Sequence, residues 1–209
     1  MTILDLRVTL TDCEPPVWRE IRVPSDVLLT DLHTVLQVAM GWEDTHRHGF
    51  GRGESYGAST RRWTLEPVSE KADEHGVTLE EALGDGAVIT YVYDMGDDWE
   101  HRVAVADASE GTTEHAELLG GEGACPPEDC GGIAGFAELV SALRRLRSGE
   151  EPDGWDANRL RHLVGEGDPD DLARKLLDFD EVAVQVELES APIPELRVSR
   201  GPDEGLDVF

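Results

Sequence analysis

Apolar and polar positions alternate along "ILDLRVTL" (Ile3 to Leu10), through Leu6 and Val8, which is the period of a half-buried strand. A second run follows, in which Val17, Arg19, Ile21 and Val23 share one face. Between them Pro15 and Pro16 cannot occupy a central strand, so the spacing predicts a hairpin turning through "TDCEPP". The period then changes. Leu32, Val35, Leu36, Ala39 and Met40 form an i, i+3, i+4, i+7, i+8 stripe, which predicts a helix capped by Thr30 and ended by Gly41 in the left-handed conformation.

Beyond that helix the pattern loosens. "WEDTHRHGFGRGESYG" from Trp42 is glycine-rich with interspersed aromatics and suits an irregular strand, and the charged run from Glu66 to Gly76 is expected to be exposed. "TLEEAL" from Thr78 predicts a short capped helix, and "AVITYVYD" and "WEHRVAVADA" predict two strands joined by Met95 to Asp98. Further on, Phe136, Leu139, Val140, Leu143 and Leu146 mark a helix with arginines in its last turn, stopped by Gly149. Asp156 to Val164 and Leu172 to Leu177 read as two more helices, the latter capped by Asp168 with Pro169 at its first position. "EVAVQVELE" from Glu181 alternates like a last strand.

This order predicts an α+β fold. Its sheet is mixed or antiparallel, its strand, strand, helix opening is β-grasp-like, and its C-terminal helices, the helical part 133–178, pack on the sheet. One domain is expected over 1–190, with a mobile acidic tail over 191–209 that is rich in Pro and Gly.

Composition narrows the function. The 209 residues suffice for an autonomous core. Forty-five acidic against eighteen basic side chains give a net charge of −27, which repels phosphate and argues against direct nucleic-acid binding. An acidic surface is first a solvated one, but it also suits a basic protein partner, or a mimic of DNA's charge. Three cysteines and no apolar run after Met1 point to a cytoplasmic protein without a membrane span.

Three polar clusters are candidates for chemistry: "HRH" (His46, His48), "YVYDMGDDWEH" (Tyr91 to His101) and "CPPEDC" (Cys125 to Cys130). On an extended chain His46 and His48 face the same way and can converge, and His101 shares a face with Trp99 and Val103, at the mouth of an apolar face. "DMGDD" is first a turn, with Gly96 supplying positive φ and flanking aspartates bonding local amides. Gly131 and Gly132, entering a helix, could offer amides to a small anion. Cys125 and Cys130 supply half a zinc site, which two of His46, His48 and His101 could complete, with His48 and His101 nominated; otherwise the thiols are small buried hydrophobes. A cysteine nucleophile with His101 as base can also be assembled, although no nucleophile elbow, Walker loop or dinucleotide fingerprint supports it.

With "PPVWREIRVPSDVLLTDLHTVLQVAMGWEDTHRHGF", "YVYDMGDDWEHRVAV" and "CPPEDCGGIAGFAELVSAL" in this order, the chain resembles the plasmid pRiA4b ORF-3-like family, a mobile-element-associated group. The resemblance implies an α+β domain in which these three segments recur. Arg47 and Met95 stand where the family commonly has Leu and Phe, so local packing is expected to differ there. The label of transposon resolvase passenger that some members carry implies little, because the N-terminus lacks a serine nucleophile among arginines.

The expected function is a non-enzymatic binding or interaction domain for a protein or small-molecule partner. Its pocket is expected to use Trp42, His46, His48, Tyr91, Tyr93, Asp94, Asp97, Trp99, His101 and Asp129. The alternatives are a metal-assisted or cysteine-dependent hydrolase in the same pocket, with zinc on His48, His101, Cys125 and Cys130, and the DNA-charge mimic.

Overall fold

In the computed structural model of the chain, which describes residues 1–59, 61–65, 72–113, 115–150 and 153–191, β1 (Thr2–Leu10) and β2 (Trp18–Pro24) form the expected antiparallel hairpin. Leu6, Val8, Leu10, Val17, Ile21 and Val23 are all buried, as period-two alternation on a covered sheet requires. Arg19 is buried with them, at 1% exposure. Its guanidinium donates to the carbonyls of Ala39 (2.7 Å), Trp18 (2.7 Å), Glu122 (3.0 Å) and Gly123 (2.9 Å).

Helix α1 (Leu29–Met40) buries its predicted stripe completely and ends at Gly41, whose φ of 102° is the left-handed cap. Its start differs from the expectation. The cap position is Leu28, with no side-chain bond, and Thr30 lies inside the helix. A tertiary backbone bond from Leu29 N to Val77 O (2.9 Å) replaces a side-chain cap, tying α1 to the entry of α2 (Leu79–Leu83). Thr78 caps α2 through a full capping box with Glu81, as its sequence demands.

Between the two helices lie β3 (His48–Arg52), β4 (Arg62–Thr64) and β5 (Ala72–Asp73). β6 (Val88–Tyr93) and β7 (Trp99–Glu110) follow α2, and β8 (Glu117–Glu122) comes next. Among the described residues these strands form one eight-stranded sheet in the order β5-β4-β3-β6-β7-β1-β2-β8, parallel only between β4 and β5. The fold is α+β with a mixed sheet.

In the second half, α3 (Gly132–Arg147) packs on α4 (Gly154–Leu163) and α5 (Pro169–Leu177). Asp153 and Asp168 cap α4 and α5, each accepting two amide hydrogens. The segment expected as a last strand is instead a helix, α6 (Glu181–Ser190), capped by Asp180 and packed on β8 and α1. Its alternation is misleading because positions 184 and 188 also lie one helical turn apart. Leu188 is buried and Val184 partly so, while Val182 and Val186 point outward.

One further expectation, on the charged run, is corrected. In the run from Glu66 to Gly76, residues 66–71 lie outside the described set, but Glu74 is 0% exposed rather than solvated. Arg47 and Met95 are both exposed, so neither fills an apolar packing site. The expected tail falls, apart from Ala191, outside the described residues. No helix among the described residues is long and apolar enough to cross a membrane.

Candidate functional site

The aromatic residues of the central stretch form a buried support rather than a surface. Tyr91, Tyr93 and Trp99 are each fully buried. Trp42, the first residue after the α1 cap, lies over them, with ring centroids 5.1 Å from Tyr93 and 5.4 Å from Trp99. Its indole Nε1 donates to His101 Nε2 at 3.1 Å, which fixes His101 as a neutral acceptor there. Burial pushes the His101 pKa down to about 4. His101 is therefore an internal hydrogen-bonding group, not the mouth of an apolar face.

A second buried layer adjoins the first. His33 and His48 stack, and their outer Nε2 atoms meet Asp44 Oδ1 and Glu74 Oε1, each at 3.0 Å. Tyr91 Oη bonds His33 Nδ1 and accepts from Gln37 Nε2, both at 2.8 Å. Its hydroxyl stays protonated, since burial holds its pKa well above the usual phenol range. The two histidines of "HRH" thus part company: His48 begins β3 and points inward, while His46 lies in the preceding loop, where strand alternation does not apply.

His46 faces a different group. Its Nε2 lies 3.3 Å from Asp129 Oδ1, 3.7 Å from Glu128 Oε2 and 3.8 Å from Asp94 Oδ2. These side chains come from the loop before β3, the β6–β7 turn and the cysteine loop. Three hydrogen bonds clamp the segments together. Tyr93 Oη donates to Glu128 Oε1 (2.9 Å), the Glu43 amide donates to the same oxygen (2.9 Å), and the Gly131 amide donates to Asp97 Oδ2 (2.9 Å). Tyr93 remains a phenol that can donate, because burial pushes its pKa up to about 12.

The turn itself is built by aspartates. Asp94 and Asp98 have φ of 53° and 56°, and Asp94 Oδ1 accepts from Gly96 N at 2.9 Å. The left-handed residues are therefore these two and not Gly96 as expected; aspartate tolerates that region because its short side chain bonds local amides. Gly132, by contrast, stands where any side chain would be strained. Its φ is 66°, and an added Cβ would lie 2.6 Å from Asp97 O.

Several expected roles change with this geometry. No three of His48, His101, Cys125 and Cys130 bring ligand atoms together; the group that does so among the described residues is His46, Asp94 and Asp129, within 4.8 Å of one another. The Nε2 atoms of His48 and His101 are engaged instead by Glu74 and Trp42. All three cysteines are free thiols, with Cys13 and Cys130 pushed up to about 12 and Cys125 well above its ordinary value, each chiefly by burial. The Gly131 amide suggested for an anion already carries the chain's own Asp97 carboxylate. Glu128 and Glu74 were missed in the sequence, and His33 was not nominated for the site. Glu128 carried a signal in its position between two prolines and the second cysteine, beside the nominated Asp129.

Beside the His46 group opens a cleft of about 330 Å³. Gly41 and Glu43 line it from the end of α1, Cys125 and Glu128 from the cysteine loop, and His162 and Lys175 from the helical part. Glu128 belongs to both features.

Comparison with known proteins identifies a family and a shared fold. The family described as Plasmid pRiA4b ORF-3-like protein matches residues 2–185. An uncharacterized protein, y4hQ, of Sinorhizobium fredii (strain NBRC 101917 / NGR234) is 38% identical over 146 residues, which cover 68% of this chain and 73% of that protein. The crystal structure of MM3350, a protein of unknown function from Methanosarcina mazei Go1, superposes with a TM-score of 0.68 at 23% identity, covering 87% of this chain and 96% of that one. At that identity the likeness concerns the fold.

Proposed function

The chain belongs to the plasmid pRiA4b ORF-3-like family, and from that premise we propose that it is a non-catalytic binding domain that engages a positively charged group. The group seats where the loop before β3, the β6–β7 turn and the cysteine loop meet. One observation carries the reading. Three carboxylates from two distant segments, Asp94, Glu128 and Asp129, lie within 4 Å of the same nitrogen of His46, and Glu128 Oε2 is buried there without a hydrogen-bond partner. Like charges held this close repel, and a ligand cation relieves the repulsion. The surrounding acidity, −27 overall, draws cations toward the site.

The cysteine-dependent alternative finds no support. Burial keeps Cys125 and Cys130 protonated, and His101, the nominated base, is sealed beneath Trp42. The test is an amide NMR titration of the full chain with agmatine in the presence of EDTA. Saturable shifts confined to residues 43–48, 94–98 and 125–132, weakened at least fivefold by Glu128→Gln, are expected. Shifts spread over the acidic surface, or unaffected by that substitution, would sink the reading.

A further inference from the structure

From the donor geometry around His46, and resting on the cation-binding reading above, we infer that the ligand is a divalent first-row metal ion of the zinc type, held by His46 Nε2, Asp94 Oδ2 and Asp129 Oδ1. The distances decide between a metal site and an ion pair. An imidazolium bonded to carboxylates would show a short, aligned contact, about 2.7–2.9 Å. Here the nearest carboxylate oxygens stand 3.3–3.8 Å from Nε2, and this nitrogen, although shielded from solvent, makes no hydrogen bond. Donors bound at about 2.1 Å to one tetrahedral ion lie about 3.4 Å apart, close to the 3.3 and 3.8 Å that separate Nε2 from the two aspartate oxygens, and all three atoms lie within 4.8 Å of one another.

The chemistry of the donors limits the ion. One imidazole and two carboxylates suit zinc or manganese, whereas a soft ion would require a thiolate, which this set lacks. Asp94 is arranged for the task, with Oδ1 occupied by Gly96 N and Oδ2 turned to His46. Three protein ligands leave a fourth position toward solvent, since the Asp129 side chain is 76% exposed. The unpartnered Oε2 of Glu128, 3.7 Å from His46 Nε2, is placed to accept a hydrogen bond from a water bound there.

Full-length protein stripped with EDTA and returned to metal-free buffer is titrated calorimetrically with Zn²⁺, and its Co²⁺ absorption spectrum is recorded. One equivalent is expected to bind, with His46→Gln and Asp129→Asn each weakening affinity at least tenfold and changing the cobalt spectrum. Asp129 is exposed and its φ of 55° accepts asparagine, so that variant keeps its fold. Asp98→Asn removes one charge from the same turn at an exposed left-handed position, and is expected to change affinity less than threefold. Absence of stoichiometric uptake overturns the inference. So does wild-type affinity in both ligand variants, or an equal loss in Asp98→Asn, which would mean diffuse attraction to acidic surface. If zinc fails while agmatine still binds in EDTA, the metal assignment falls and the cation-binding reading stands; failure of both removes both.

Discussion

The imidazole rings of His33 and His48 stack face to face, with centroids 3.6 Å apart and planes 10° from parallel. One ring comes from α1 and the other from β3, so the stack joins the helix to the sheet. Each ring is anchored at its outer nitrogen by a carboxylate, His33 by Asp44 and His48 by Glu74. Glu74 is the more consequential anchor, because it is wholly buried and its Oε2 has no hydrogen-bond partner. Removing one member of such a pair leaves the other uncompensated.

Glu74→Ala is therefore expected to destabilise the fold by about 3–5 kcal/mol. His48→Ala should cost less once Glu74 is already gone, so a double-mutant cycle in urea should give a coupling of at least about 1 kcal/mol. Additive losses would mean that the contact contributes no pairwise energy.

Acid should weaken the fold through His101. Its folded pKa of about 4 lies below the ordinary value of 6.5, so the unfolded chain binds the proton more readily. The stabilisation from keeping this ring neutral is complete above pH 6.5 and is lost as pH falls toward 4, at about 1.4 kcal/mol per pH unit. The buried His33, lowered by burial and by the neighbouring His48, adds in the same direction. Urea midpoints measured from pH 7 to pH 4.5 should decline more steeply in the wild type than in His101→Gln. Parallel slopes would show that carboxylates alone set the acid response.

The central arginine carries a different expectation. Arg19 has no carboxylate partner among its hydrogen bonds; its fork is spent on carbonyls at the end of α1 and at the end of β8, with the Phe179 ring 3.7 Å from its charge centre. Burial lowers its pKa to about 10, yet it stays charged at neutral pH, beside the carbonyl end of the α1 dipole. Arg19→Met leaves several carbonyls unsatisfied and should cost about 3 kcal/mol or more. Arg19→Lys should recover only part of the loss, since an ammonium cannot span the same acceptors. Full recovery in chemical denaturation would make the charge, not the fork, the important property.

The thiols give a direct chemical test. With Cys13 and Cys130 pushed up to about 12 and Cys125 held well above its ordinary value by burial, none is appreciably thiolate at pH 8. Reaction with Ellman's reagent is expected to run at least a hundredfold slower in native protein than in urea. A single fast native thiol would restore the cysteine-dependent alternative.

Periodic elements were legible in the sequence because one face of each carries the burial. The stripe from Leu32 to Met40, the alternation around Ile21 and the capping box at Thr78 all act within a few residues, and each forms where expected. β8 was not legible: "ELLGGE" neither alternates nor carries a β-branched residue, and it is a strand because β2 pairs with it. The strand expected at Glu181 failed because a cap at Asp180 and contact with β8 outweigh a period of two. For the site, the three segments were identifiable but their internal partners were not. His46 and His48 differ by two residues and face unrelated neighbours, because only one of them lies in the strand, and no local rule reveals that Glu74 returns from a distant segment to meet His48.

The last prediction concerns how the site is held together. The β6–β7 turn and the cysteine loop are joined by Gly131 N to Asp97 Oδ2, and by the close approach of Gly132 to Asp97 O. Asp97→Ala removes the acceptor, and the amide it leaves can turn to water, since Gly131 is exposed; the expected cost is about 0.5–2 kcal/mol. Gly132→Ala must relieve both its positive φ and a Cβ at 2.6 Å from a backbone oxygen, so it should cost more, about 1–3 kcal/mol. The two also differ in kind. In hydrogen exchange, Asp97→Ala should speed the Gly131 amide while leaving the interior of α3 protected, whereas Gly132→Ala should loosen the first turn of α3, where Cys130 O also receives a bond from Arg159. If both leave Gly131 protected, the loops are held by other contacts, and the carboxylates of Asp94 and Asp129 do not depend on this clamp for their alignment with His46.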